Sequence, residues 1–189
     1  YISNAINNLN HIIRTGNAKE AMRYNNELID LLKNQIKFTN ANTVKLKEEL
    51  SWVEYYLQME QQRMLHSFSY HISIDDTNLY DKEIPPMLLQ PIIENSIIHG
   101  FSKEIFKGDG TININIKLAG KNTIIITVSD NGAGINANKS TKNDRPSIAT
   151  FNINKRINLI NETRLFHIKR TQNINHQGCT NTIHIEAFH

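Results

Sequence analysis

The chain has 189 residues, 39% of them hydrophobic, with a formal net charge of +3 at pH 7 and a mean hydropathy of −0.44, values expected of a soluble globular chain with one full domain and a smaller appendage. Its 21 lysines and arginines are scattered rather than gathered into a stripe, so there is no electrostatic case for nucleic-acid binding. The only cysteine, Cys179, excludes an intrachain disulfide and a zinc cage and suits a reducing compartment.

No apolar run approaches the length of a membrane span, and no signal peptide is evident. A start at Tyr1, inside a helical pattern and without methionine, reads as a piece of a longer protein. Residues 2–14 place Ile2, Ile6, Leu9, Ile12 and Ile13 at helical spacing, and Gly16 ends that helix. A second amphipathic helix follows through Met22, Leu28, Leu31, Leu32 and Ile36. The two form an antiparallel hairpin that cannot bury both apolar stripes alone. A second copy of the chain is the expected cover; the alternative is the rest of this chain. The polar break "TNANTV", residues 39–44, divides a hairpin over 1–40 from a domain over 41–189.

A third helix, from about Leu46 to Met64, carries Leu50, Val53, Tyr56, Leu57 and Met59. The period then changes to two, with Phe68, Tyr70, Ile72 and Ile74 inward on a strand. Pro85 and Pro86 fix an extended lead-in to a helix containing "PIIENSIIHG". "TININIKL" and "NTIIITVSD", joined by "AGKN", read as a β-hairpin. Residues 136–147 are polar and read as a mobile loop, followed by a helix over 148–162 and strands near 165–172 and 179–187. Without regular βαβ alternation, this order favours an α+β fold, a two-layer sandwich with a helical hairpin ahead of it.

On a helical wheel of 100° per residue, Leu88, Leu89, Ile92, Ile93, Ser96, Ile97 and Gly100 sweep one half of the cylinder. Asn95 and His99 lie together at one border of that arc, and Glu94 lies on the outward side. A rim carboxamide is commonly just solvated; the chemical alternative is that the Asn95 oxygen is a hard ligand for Mg²⁺, which is usually held by one or two protein groups plus substrate phosphates. "SDNGAGI", residues 129–135, closes a strand. Asn-Gly is a favoured hairpin turn, yet the "NANKSTKND" that follows supplies no returning strand. Gly132 and Gly134 suit a close backbone approach or a positive φ. Asp130, at the end of a buried strand, needs a partner, and a carboxylate there can accept a hydrogen bond from an exocyclic amine such as that of adenine. No helix opens directly after the glycines, so the stretch is not a dinucleotide fingerprint.

Together, "LLQPIIENSIIHG" and "VSDNGAGI" resemble the N box and first glycine box of sensor histidine kinases of the LytS/YpdA-like group. "YISNAINNLNHII" is similar to the tail of that group's phosphoacceptor motif, and "VKLKEELSWVEYYLQMEQQRM" to its linker helix, with Arg63 at the family's arginine. The resemblance spans essentially the whole chain. It implies the ATP-binding fold shared with gyrase-type ATPases, a mixed sheet with helices on one face and the nucleotide under a lid. By position, it implies Asn95 as the Mg²⁺ ligand, Asp130 as the adenine-reading carboxylate and His99, with Gly100, on the phosphate side. Gly132, Gly134 and Ile135 fall in the first glycine box, residues 136–150 would be the lid, and Asn152 and Arg156 would serve the nucleotide from beyond it. Glu94 is a candidate to orient or activate the acceptor histidine; the position of the catalytic glutamate in related folds, one turn before the Asn, is held by Pro91.

Two departures stand out. The family's acceptor histidine falls one position before Tyr1, so the expected phosphoacceptor is not in this chain; His11, a substitute on the same helix, is well past the family position and reads rather as a surface or dimer-interface residue. The lid's second glycine box reads Ser147-Ile148-Ala149-Thr150 before Phe151 and Asn152. If both altered sites needed positive φ, each added Cβ would cost on the order of 1 kcal/mol.

The expected function is therefore the cytoplasmic kinase portion of a two-component sensor in the bacterial plasma membrane. It would use ATP and Mg²⁺, dimerise through its N-terminal helices and relay phosphate to a response-regulator receiver domain. The alternative is a degenerate nucleotide-binding or pseudokinase module acting as a dimeric signalling scaffold. An ATPase of the gyrase or chaperone type is disfavoured, because the transducer regions those enzymes need are not evident.

Overall fold

A computed structural model of the chain describes residues 2–64, 68–101, 108–120, 122–134, 148–175 and 177–188. Tyr1, Ile135, Ser147 and the loop 136–147 lie outside the described residues. Helices α1 (Ile2–Arg14) and α2 (Ala18–Thr39) form the predicted hairpin, turning at Gly16 with φ 76°. Asn17 caps α2: its side-chain oxygen accepts the Glu20 N–H at 3.1 Å, and its amide nitrogen donates to the Glu20 carboxylate at 2.6 Å.

Helix α2 packs on α3 (Leu46–Arg63), and the two are tied at both ends by Arg23–Gln62 (3.3 Å) and Lys37–Glu48 (2.6 Å). The inward face is Tyr24, Leu28, Leu31 and Phe38, all within the same buried cluster as Val53, Leu57 and the sheet. The predicted stripe is thus divided. Tyr24, Leu28, Leu31 and Phe38 face inward, while Met22 and Ile36 are 69% and 64% exposed. The rest of the chain covers one face of the hairpin, and a second apolar face is left open.

The sheet has the order β2-β4-β5-β7-β6. Strands β2 (Phe68–Ile74) and β4 (Gly110–Ala119) run parallel, while β4–β5 (Thr123–Asp130), β5–β7 (Gly178–Ala187) and β7–β6 (Phe166–Asn175) are antiparallel. A short pair, β1 (Val44–Lys45) with β3 (Glu83–Ile84), lies apart from it. Alternation decides the layers. Ile112, Ile114 and Ile116, then Ile124, Ile126 and Val128, then Ile183 and Ile185, with Phe166 and Ile168, bury one face under α3, α4 (Gln90–Asn95) and α5 (Ile148–Glu162). The other face alternates toward solvent, the habit of a sheet covered on one side. This is an α+β two-layer sandwich with a mixed sheet. Strand β6 runs beyond the predicted 172 to Asn175, because its backbone ladder with β7 continues through polar residues as far as Asn175 opposite Gly178.

Candidate functional site

Helix α4 is short for a reason visible in its flanks. Pro85 and Pro86 hold the approach extended, Met87 takes a left-handed φ of 55°, and Pro91 sits in the first turn, where its missing N–H is not needed. The segment predicted as one helix is α-helical only to Asn95; Ser96–Gly100 continue as a π-helix. Such wider turns are rare and concentrate at functional sites. Leu88, Leu89, Ile92, Ile93 and Ile97 are buried as the wheel requires, and Asn95 and His99 stay on the rim.

Asp130 meets this helix from the sheet. The inward row of β5 runs Ile124, Ile126, Val128 and then Asp130, so the carboxylate appears where the apolar row ends. Its partners are the Ser96 hydroxyl, donating at 2.6 Å to Oδ2, and the N–H groups of Gly132 and Cys179, donating at 3.0 and 3.2 Å to Oδ1. An ionised carboxylate offers about four acceptor positions, so capacity remains for one more donor. Asn95 and Asp130 are thereby linked through Ser96, the neighbour of one and the hydrogen-bond partner of the other.

Asn95, His99, Gly100, Asp130 and Gly134 line one cavity of about 220 Å³. Pockets that enclose a whole drug-sized ligand run roughly 300–1,000 Å³, so this one encloses part of a nucleotide-sized molecule. A larger cavity of about 280 Å³, between Leu118, Phe166 and Phe188, contains none of the predicted site residues. Among the described residues no group of three or more His, Cys, Asp or Glu side chains could hold a metal. The Asn95 side chain offers this cavity one hard oxygen donor, which suits a cation that takes most of its ligands from a bound phosphate and water.

Gly132 sits at a close backbone approach and Gly134 at a positive φ, the two uses that the sequence allows for them. A Cβ on Gly132 would lie 2.5 Å from the Gly100 Cα. That glycine lets two backbones of the protein meet, sealed by the Ala133 N–H to Gly100 O bond of 2.9 Å. Gly134 has φ 57°, and a Cβ there would collide with the Asn175 carbonyl. Asn131 anchors the same turn to β4, its oxygen accepting the Thr111 N–H and its nitrogen donating to Asp109 O.

Three predicted site residues lie elsewhere. Glu94, Asn152 and Arg156 line a separate cavity on the other side of α4. Arg156 neither reaches the Asn95 cavity nor extends into solvent. Its guanidinium donates to Pro86 O at 2.7 Å beside the buried Glu49, and burial pulls its pKa down. Glu94 accepts from Gln90 at 2.7 Å. Ala149 sits in the first turn of α5, and among the described residues only Met87 and Arg164 combine a side chain with positive φ, so the glycine-box penalty does not arise at Ala149 in this conformation.

The cavity also uses residues that the sequence reading missed: Ser96, Gln172, Cys179 and Asn181. Asn181 is buried, accepts from the Arg170 guanidinium and donates to the Cys179 sulfur at 3.3 Å. Burial pushes the Cys179 thiol up in pKa, ahead of the opposing hydrogen bond from Gln172. A signal for these residues existed. Read backwards from Ile185, the inward row of β7 goes Ile183, Asn181, Cys179, the same apolar-to-polar switch that ends β5 at Asp130.

A family model described as histidine kinase matches residues 1–68. The sensor protein LytS of Oceanobacillus iheyensis is 32% identical over 182 residues, covering 90% of this chain and 30% of that protein. LytS of Staphylococcus epidermidis is 31% identical over 181 residues, covering 91% of this chain and 30% of that protein. The chain thus spans about 30% of the length of these relatives. In fold it is similar to the nucleotide-free catalytic domain of histidine kinase ThkA, with a TM-score of 0.53 at 16% identity, over 77% of this chain and 94% of that one. The sequence match along nearly the whole chain and the fold agree, and the chain belongs to the LytS-like sensor histidine kinase family.

Proposed function

We propose that the cavity between α4 and the β5–β7 end binds Mg-ATP and that the chain is the kinase portion of a two-component sensor. In this reading residues 41–189 are the catalytic domain, and 1–40 the C-terminal part of the dimerisation and phosphotransfer region. The observation that supports it is the convergence of Asn95 and Asp130 on one cavity, bridged by Ser96. Asp130 accepts the exocyclic amine of adenine with its remaining lone pair. The Asn95 oxygen faces the triphosphate, with His99 and Gly100 alongside and Gly132 and Gly134 shaping the wall. Magnesium, when bound, would be held by Asn95 and would neutralise phosphate charge.

The imidazole nitrogen of a histidine upstream of Tyr1 attacks the γ-phosphorus in line as its bond to the β–γ bridging oxygen breaks and ADP leaves, and the phosphoryl group passes from there to an aspartate of a response regulator. Phosphoryl transfer asks the protein mainly for positioning and charge neutralisation. Glu94, facing the neighbouring cavity, is assigned to orienting the acceptor. Asn152 and Arg156 would reach the nucleotide only after α5 moves. In this reading the parent lies in the bacterial plasma membrane with this part in the cytoplasm.

Calorimetric titration with Mg-ATP tests the site. A hydrogen bond to a charged group contributes about 1.5–3 kcal/mol, so Asp130→Ala raises Kd by roughly ten- to a hundredfold; unchanged affinity would overturn the assignment. Labelled ATP added to the N-terminally extended chain separates kinase from scaffold. A kinase gains acid-labile phosphate, and a dimeric pseudokinase gains none.

A further inference from the structure

Glu49 is a buried carboxyl that the proposed reaction does not use. It lies on α3, 1% exposed, among the apolar side chains of the core. One carboxylate oxygen accepts the Met87 N–H at 2.8 Å and the other the Leu89 N–H at 3.0 Å. Leu89 is the N-cap of α4, where helix geometry leaves backbone N–H groups without partners, and Met87 lies two residues before it. The same turn is also held by α5, through Arg156 on Pro86 O at 2.7 Å. Met87 holds a left-handed φ of 55°, a conformation that persists only where its surroundings enforce it. Packing alone does not explain a carboxyl here, because a leucine would fill the space without the desolvation penalty. Burial duly pushes the Glu49 pKa up, against the backbone hydrogen bonds that oppose the shift.

We propose that Glu49 is a positioning residue for the nucleotide: from the linker helix it fixes the start of α4 and so the place of Asn95 at the other end of that helix. This rests on the reading of Asn95 as the magnesium ligand. Leu89 and Asn95 are about 9 Å apart along a helix rising 1.5 Å per residue, with Pro91 and buried Ile92 and Ile93 between them. A displacement at the turn is therefore carried to Asn95 rather than absorbed. Asp130 is held independently, by Ser96, Gly132 and Cys179. The device couples the metal end of the cavity to α3, and through α3 to the helical hairpin packed on it, while leaving the base end alone.

The test is Glu49→Gln, titrated with Mg-ATP and, separately, with metal-free adenosine. An amide nitrogen accepts no hydrogen bond, so one of the two N–H anchors is lost whether the acid is ionised or protonated. The lost anchor is one backbone hydrogen bond, and its loss weakens Mg-ATP about tenfold while adenosine stays within twofold. In the Asn95→Ala background the same substitution adds less than twofold, since coupled residues are not additive. Equal weakening of both ligands, no weakening of either, or a full effect in the Asn95→Ala background overturns the proposal. Should Glu49→Gln fail to fold, Glu49→Asp, which keeps the charge but draws it back by one methylene, must show the same split. A wild-type chain that binds neither ligand overturns the nucleotide reading itself, whereas a wild type that binds both, with variants that match it, overturns only the role of Glu49.

Discussion

Glu48 and Glu49 are adjacent and chemically identical, yet they titrate in opposite directions. The Lys37 ammonium, donating at 2.6 Å, holds the Glu48 carboxyl below its ordinary value, while burial lifts that of Glu49. Nothing in "KLKEEL" separates them; the difference appears only once α4 and α5 close over one of the two. The sign of the linkage follows. A carboxyl with a raised folded pKa contributes stability in full below its unfolded value of 4.5, and that contribution is lost as pH rises through the folded pKa. Arg156, the cation facing it, lowers the pKa and narrows that window without reversing its direction. The difference in urea midpoint between wild type and Glu49→Gln is therefore expected to change between pH 4 and pH 8, with the wild type losing ground as pH rises. A difference independent of pH would contradict it. Gly132 offers a sharper residue-scale outcome. The sequence marks it as a place of close approach, but only the fold reveals that the thing approached is Gly100. Because the obstructing atoms are backbone and cannot turn aside, Gly132→Ala is expected to destabilise by about 1–3 kcal/mol, the usual range for overpacking, measured by chemical unfolding.

At the scale of elements, periodicity located every long helix and strand, because those segments carry their apolar residues at spacings of about 3.6 or 2. It could not divide the faces of α2, since a helix with two apolar stripes gives one blurred signal. The structure divides them. Tyr24, Leu28, Leu31 and Phe38 serve α3, and Met22, Ile29 and Ile36 repeat every seventh residue on an exposed face, with Ile6 and Ile13 doing the same on α1. A seven-residue apolar repeat is the seam of a helical bundle. The dimer proposed above is thus expected to close on this seam. Ile29→Glu combined with Ile36→Glu should convert a dimer to a monomer in analytical ultracentrifugation while leaving Mg-ATP affinity within about twofold, because neither side chain lies in the buried cluster shared with the site. Retained dimerisation would place the interface elsewhere. The Arg170 link between Asn181 on β7 and Asn154 on α5 is an element-scale feature of another kind. Removing one partner leaves Asn181 buried with an unmet acceptor, so Arg170→Ala is expected to cost about 1–3 kcal/mol of stability, read from the unfolding midpoint.

At the scale of the whole molecule, the polar stretch over 39–44 looks like a boundary, and the chain does turn there. Yet Phe38 and Val44, on either side of it, are buried in the same cluster as the sheet. A run of polar residues reports exposure along the chain and says nothing about what packs across it. Burying Tyr24, Leu28, Leu31 and Phe38 against α3 contributes on the order of 1.5–3 kcal/mol for each side chain, which ties the hairpin energetically to the sandwich. Trp52, the chain's only tryptophan, is 3% exposed, stacks on Tyr56 with ring centroids 5.4 Å apart, and lines a cavity with Asp30 and Phe38 of α2. Its fluorescence therefore reports the α2–α3 contact, while far-UV circular dichroism reports the sheet and all helices. If the hairpin and the sandwich share one core, the two signals lose their native values at the same denaturant concentration. Mg-ATP at about a hundred times its Kd should then move both together by about 2.7 kcal/mol. A hairpin that is a separate folding unit gives a different result. Trp52 would change first, at a midpoint that nucleotide does not shift, and α3 could not carry the position of the hairpin to Asn95.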